Sequence, residues 1–355
     1  MDLRSTFTLQ TTLLRPCRRT PPLNKVDRYL KAGTRENTRR SYRAAVEHFE
    51  VTWGGFLPAT GDSILRYLAE YADQHTVSTL KQRLAALAQW HITQGFPDPT
   101  KTPSVRQMIK GIRTLHPAQE KQAPPLLLQH LEQTVNWLEN EAQQAAGRHD
   151  HGTVMRNRRD IALVLIGFWR GFRGDELSRL QVEHIQVEPG AGITFYLPHS
   201  KGDRQHLGTT FRTPALKKLC PVQAYSNWIG AAGIAYGPLF RKLDRWGNLA
   251  EDGLNSNSLI PVLRRVFQRA GVSAQLYTSH SLRRGFATWA AANGWDIKAI
   301  MSYVGWKDVK SALRYVDASS SFGELAASAK AIAESGETTK QIEISQLEPS
   351  PSSHS

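Results

Sequence analysis

Cysteine is almost absent: Cys17 and Cys220 are the only two in 355 residues, and neither lies in a Cys-x-x-Cys or Cys/His cluster. That excludes a disulfide framework and a thiolate zinc site, and a reducing cytoplasm is the expected setting. Long apolar runs are missing as well. The best candidate, Ile161 to Trp169, is far shorter than the roughly 20 residues that span a bilayer and ends at Arg170, so it suits a buried helix and no membrane partner is expected. There is no Gly-x-x-x-x-Gly-Lys-Ser/Thr loop for nucleotide phosphates and no Asp/Glu cluster for a two-metal nuclease. Neither a cofactor nor a metal is therefore expected. Acidic residues are outnumbered: 31 Asp and Glu against 45 Lys and Arg give a formal net charge of +14. A chain this basic is most simply matched to a polyanion, nucleic acid before membrane.

What is present organises into two domains, the better expectation for a chain of this length. The first 22 residues are rich in Thr, Leu and Arg, a composition shared with organelle transit peptides, but they end in Pro21-Pro22, and 1–24 reads as a disordered basic arm. From 25 to 116 apolar residues recur at helical spacing. Tyr42, Ala45, Val46 and Phe49 form one stripe of a first helix, with Arg39, Arg40 and Arg43 largely off it. Asp62 or Ser63 can cap a second helix running through Ala72. Ser78 or Thr79 opens a third, which buries Leu80, Leu84, Leu87 and Ala88 and can turn Lys81, Gln82 and Arg83 outward. A fourth, Ser104 to Leu115, carries Arg106, Lys110 and Arg113. Residues 117–125 break the pattern and read as a linker. Residues 126–335 form the second domain: helices near 126–147, 156–169 and 174–180, strands at 193–198 and 205–212 about a turn at Ser200-Lys201-Gly202-Asp203, then helices. Residues 336–355 are rich in Ser, Thr, Glu and Pro and are expected to be disordered.

Dispersed through the second domain are Arg173, Lys201, His280, Arg283, Trp306 and Tyr315. Together they supply two fixed cations, a proton donor, an acid/base imidazole and a hydroxyl nucleophile, the equipment for attacking a phosphodiester. His280 and Arg283 fall one turn apart on a helix. An indole such as that of Trp306 can donate a hydrogen bond but cannot shuttle a proton. A tyrosine phenol, of pKa about 10, becomes a nucleophile only where cations stabilise the phenolate.

Four segments, in this order, resemble the boxes of the tyrosine recombinases, the phage-integrase and Cre-like family: Gly171-Phe172-Arg173-x-x-Glu176-Leu177, His280-Ser281-Leu282-Arg283, Val304-Gly305-Trp306 and Ser311-Ala312-Leu313-Arg314-Tyr315-Val316. The resemblance runs from about Val26 to Ala327. It implies a mainly α catalytic domain with a small β-sheet (α+β), preceded by an all-α, SAM-like core-binding domain, the two forming a C-shaped clamp on DNA. It also implies residue roles. Arg173 and Arg283, rather than the neighbouring Arg284, would grip the scissile phosphate, with Glu176 orienting the site. His280 would assist as donor and acid/base. Lys201 would protonate the departing 5′ oxygen, Trp306 would pack beside the nucleophile, and Tyr315 would be that nucleophile. Arg39, Arg40, Ser78, Lys81, Gln82, Arg106 and Lys110 are the candidates for contacts to duplex DNA. By the same resemblance four protomers assemble on two sites and exchange strands through a Holliday junction. The protein would be encoded by a bacterium, phage or other mobile element and work on the nucleoid. A type IB topoisomerase, or a DNA-binding protein without catalysis, are the alternatives.

Overall fold

The computed structural model describes residues 25–117, 123–198 and 207–313. The chain divides into two compact units, Met1–Lys121 and Gln122–Ser355. The segments read as a disordered basic arm, 1–24, and as a disordered tail, 336–355, lie outside the described residues.

The first unit is all helical among its described residues: α1 (Lys25–Ala32), α2 (Glu36–Glu47, continuing as a π-helical turn His48–Thr52), α3 (Gly61–Tyr71), α4 (Val77–Thr93) and α5 (Pro103–Leu115). Three of these helices start the same way. Thr60, Thr76 and Thr102 each hold an extended backbone and accept the N–H three residues on, from Ser63, Thr79 and Val105, with their side-chain oxygens. The caps therefore precede the expected Asp62/Ser63 and Ser78/Thr79, because the threonine hydroxyl reaches into the first turn from outside it. Phe49, Ile64, Leu68, Leu80, Leu87, Val105 and Ile112 make the core. The stripe on α2 is buried at Ala45 and Phe49 and half-buried at Tyr42 and Val46. On α4 it is Ala86 that is buried, while Ala88 is only half so. Arg83, expected to face outward, instead turns in and donates to the Tyr67 hydroxyl at 2.8 Å, beside His48. Burial and the Arg83 charge hold the imidazoles of both His48 and His75 below their ordinary range.

The second unit is mixed, mainly helical with small antiparallel sheets. It contains α6 (Leu128–Gly147), α7 (His151–Arg170), α8 (Gly174–Ser178), β1 (Ile185–Glu188), β2 (Gly192–Leu197), β3 (Thr209–Pro214), α9 (Pro221–Ala232), β4 (Arg241–Leu243), β5 (Leu249–Gly253), α10 (Ser256–Arg269), α11 (Ser279–Ala292), α12 (Ile297–Val304) and α13 (Val309–Leu313). α7 is the axis of this unit: Ile161 to Phe168 are buried without exception, and α6, α9 and α11 all pack on it. It begins well before the expected Arg156, because Asp150 caps it by accepting the Thr153 N–H at 3.0 Å. One sheet has the order β1-β2-β3, with Ile185 opposite Phe195 and Phe195 opposite Phe211. β1 was not foreseen, since Ile185 and Val187 give only two apolar positions of alternation.

The region after the β2–β3 hairpin departs from the expectation of helices alone. β4 and β5 form a second hairpin there, closed by the Asp244 carboxylate, which accepts from the Trp246 and Asn248 N–H groups at 2.8 and 2.9 Å. Arg241-Lys242-Leu243 carries no strand-like composition, so the turn chemistry decides the structure.

Candidate active site

α7 ends at Gly171, whose left-handed φ of 61° swings the chain out of the buried helix into Phe172 and Arg173. Arg173 caps α8. Its backbone N–H donates to one oxygen of the Glu176 carboxylate at 2.9 Å and its Nη1 to the other at 2.6 Å. Glu176 is 3% exposed, so a buried carboxylate grips both the backbone and the fork of an arginine whose side chain retains 24% exposure. The charged head is thereby fixed while one side of it still meets solvent.

Arg283 reaches the same place from α11. Its Nη1 donates to the Gly171 carbonyl at 2.6 Å, across 112 positions of sequence, and stands 3.9 Å from Glu176 Oε2. Its guanidinium carbon lies 5.4 Å from the centre of the Trp306 ring. Trp306 follows Gly305, which ends α12 with φ 73°, and its backbone N–H donates to the Met301 carbonyl at 2.8 Å. Thus Arg173, Glu176, Arg283 and Trp306, from three separate stretches of sequence, come together in one place.

Gly174 permits part of this approach. A Cβ at that position would lie 2.7 Å from Ser279 Oγ, so α8 and α11 can start side by side only because residue 174 has no side chain. The Thr278 hydroxyl caps α11 by accepting the His280 N–H at 3.2 Å, and Ser281 Oγ returns a bond to the Thr278 N–H at 3.0 Å. His280 is consequently held in the first turn, exposed, while Arg283 one turn later is buried. Arg284, the rival in sequence, is half-buried. Lys201 and Tyr315 lie outside the described residues. Tyr303 and Tyr277 both serve packing: the Tyr303 hydroxyl donates to the Trp169 carbonyl at 2.9 Å and that of Tyr277 pairs with His130 Nδ1 at 3.0 Å. Burial raises both phenols above their ordinary range.

In the first unit Arg40, Ser78, Lys81, Arg106 and Lys110 are exposed. Arg39 is ion-paired with Glu36, and the Gln82 amide bonds to Ser41 across α2 and α4. Lys81, Arg106 and Lys110 share one hollow of about 340 Å³, which Arg113 also lines. Arg113 is not among the residues expected to contact DNA, although positions 106, 110 and 113 lie on one helical face. Among the described residues no group of three or more His, Cys, Asp or Glu is gathered for a metal, and no helix is long and apolar enough to cross a membrane.

Residues 148–321 match the phage integrase family, and all six residues of the proposed catalytic set fall in that interval. Residues 148–321 thus form a phage integrase domain of the tyrosine recombinase type. The chain is accordingly a site-specific recombinase by type. An integrase/recombinase described as a XerD homolog, from Selenomonas ruminantium, is 29% identical over 303 residues, covering 82% of this chain and 85% of that protein. The Cre recombinase of Escherichia phage P1 is 23% identical over 278 residues, covering 74% and 77%. Among solved structures, the XerH site-specific recombinase in a post-cleavage complex with palindromic difH substrate aligns with a TM-score of 0.53 at 16% identity, over 78% of this tyrosine recombinase and 75% of that chain. The Tn1549 transposon integrase, in complex with circular intermediate DNA, aligns with a TM-score of 0.55 at 15% identity, over 88% and 96%. At such identities these last two likenesses are of fold.

Proposed function

We propose that this protein cuts and rejoins duplex DNA at specific sites through a 3′-phosphotyrosine intermediate. The observation that carries the proposal is the convergence of Arg173 and Arg283 on the single buried carboxylate of Glu176, beside the Trp306 ring. Two guanidinium groups beside one carboxylate keep an excess of positive charge, and a phosphate is the natural complement to that charge. In the proposed reaction Tyr315 attacks the phosphorus, its phenolate stabilised by these cations. Arg173 and Arg283 hold the non-bridging oxygens as charge builds in the transition state. His280, exposed in the first turn of α11, assists proton transfer. Lys201 delivers a proton to the departing 5′ oxygen, and Trp306 packs beside the nucleophile. The reverse sequence, with the 5′ hydroxyl of another strand as attacking group, reseals the DNA without an external energy source.

Residues 25–116 act in this scheme as the core-binding domain, residues 126–335 as the catalytic one. The basic hollow of Lys81, Arg106, Lys110 and Arg113 supplies phosphate contacts, with Arg39, Arg40, Ser78 and Gln82 as further contacts to the duplex. Four protomers on two sites exchange strands through a Holliday junction, in the cytoplasm, on the nucleoid. The test is incubation with a nicked duplex, selected from a random pool by binding, whose cleavage releases a short fragment and traps the intermediate. A covalent protein–DNA adduct is expected. Tight binding with no adduct would favour a catalytically inactive DNA-binding protein, and supercoil relaxation by the monomer on DNA of any sequence would favour a type IB topoisomerase.

A further inference from the structure

Two hydrogen bonds run in opposite directions between α7 and α12. The Arg170 guanidinium donates to the Tyr303 carbonyl, and the Tyr303 hydroxyl donates to the Trp169 carbonyl at 2.9 Å. The same hydroxyl stands 3.3 Å from Thr213 Oγ1 on β3. The Arg170 guanidinium carbon lies 4.2 Å from the centre of the Tyr303 ring and 4.6 Å from that of Phe211, also on β3. Arg170 is 6% exposed, so an arginine at the end of the apolar run Ile161 to Trp169 is sandwiched between two aromatic rings at the meeting of α7, α12 and β3.

Such a group is costly to bury. Desolvation draws its pKa down to about 10, and its Nε has no hydrogen-bond partner among the described residues. An apolar side chain of similar volume would fill the space with less electrostatic penalty. What Arg170 adds is direction: a donor aimed at one carbonyl, between two rings that fix its plane.

Both ends of this contact lie one short step from the candidate site. Arg170 is followed by Gly171, the carbonyl partner of Arg283, and then by Arg173. Tyr303 is followed by Val304, Gly305 and Trp306, on whose ring Arg283 rests. β3 is the strand that follows the segment carrying Lys201.

We propose that Arg170 and Tyr303 form a strut that sets the distance between the Arg173–Arg283 pair and the Trp306 block, and so position the site for strand cleavage. The inference rests on the recombinase function proposed above. Neither residue touches the phosphate in this scheme: both are positioning residues.

The test compares Arg170→Met, Arg170→Lys and Tyr303→Phe with the unaltered full chain on the nicked duplex described above. Single-turnover cleavage at saturating protein and binding by anisotropy are measured well below the melting temperature of each variant. Misplacement of reacting groups by an ångström can cost about 100-fold in rate. Arg170→Met is expected to slow cleavage roughly 10- to 100-fold while Kd stays within about twofold. Arg170→Lys, which keeps a donor for the Tyr303 carbonyl, is expected to recover part of the rate. Tyr303→Phe loses only the hydroxyl and should cleave more slowly to the same final adduct yield. A cleavage rate for Arg170→Met within about twofold of the unaltered chain, a parallel loss of binding and cleavage, or no recovery with lysine would each overturn the strut. If Arg170→Met does not fold, an unchanged rate for Tyr303→Phe overturns it. Absence of any adduct from the unaltered chain would overturn the recombinase proposal, and the strut's role in cleavage with it.

Discussion

Replacing Glu176 by glutamine keeps the side-chain shape and removes its charge, and the consequence follows from the contacts it makes. The carboxylate accepts from Arg173 N–H at 2.9 Å and Arg173 Nη1 at 2.6 Å, with Arg283 Nη1 at 3.9 Å. Removing one partner of a buried ion pair costs about 3–5 kcal/mol, and a hydrogen bond to a charged group contributes about 1.5–3 kcal/mol. The amide oxygen of glutamine still accepts one bond, so the loss should be about 2–4 kcal/mol. For a domain of this size that lowers the melting temperature by roughly 4–16 °C. If Arg173 and Arg283 hold a phosphate, DNA takes over the role of the missing carboxylate, and the complex should lose less stability than the free protein. By the thermodynamic cycle, every 1.4 kcal/mol recovered in the complex appears as about tenfold tighter binding. Cleavage should nevertheless slow, because Arg173 is no longer held at both its backbone N–H and its guanidinium by one carboxylate. The assay is thermal melting of Glu176→Gln with and without the selected duplex, paired with single-turnover cleavage. An equal melting shift in both states, or none in either, would refute the reasoning.

Three further outcomes are expected. Gly174→Ala drives a methyl group into Ser279 and should destabilise the catalytic unit by about 1–3 kcal/mol and slow cleavage by parting α8 from α11; melting and cleavage as in the unaltered chain would contradict the close approach. Lys201→Ala should slow cleavage of ordinary DNA but spare a substrate with a 5′-bridging phosphorothiolate, since a thiolate leaves without protonation; equal loss on both substrates would reassign Lys201 to binding or folding. Arg106→Ala should lower the slope of log affinity against log salt by about one phosphate contact; an unchanged slope would remove the Lys81–Arg113 hollow from the DNA interface.

In the first unit α2 to α5 were legible from apolar residues at helical spacing, and Leu80, Leu84 and Leu87 are buried as that spacing requires, whereas α1, with few apolar residues, was not. Arg173, Glu176, Arg283 and Trp306 were legible as residue types in order along the chain, and the fold brings them together. Other features were hidden for physical reasons. β1 alternates over only four residues, too few to stand out in the sequence, and the β4–β5 hairpin is dictated by Asp244 hydrogen bonds that hydropathy does not register. Arg83 is a basic residue on a basic helix until the fold turns it onto Tyr67. Arg170 was visible only as the end of an apolar run. Its pairing with Tyr303 joins residues 133 positions apart, which no local pattern encodes.

The account turns on which hydroxyl becomes bonded to DNA, and one comparison tests it most directly. The unaltered chain, Tyr315→Phe and Tyr303→Phe are each incubated with the nicked duplex, and adducts are digested and mapped by mass spectrometry. Tyr315→Phe removes one oxygen and keeps the ring, so binding should persist while the covalent adduct disappears. The unaltered chain and Tyr303→Phe should both carry the nucleotide on Tyr315. An adduct that survives in Tyr315→Phe, or one that maps to any other residue, would contradict the account.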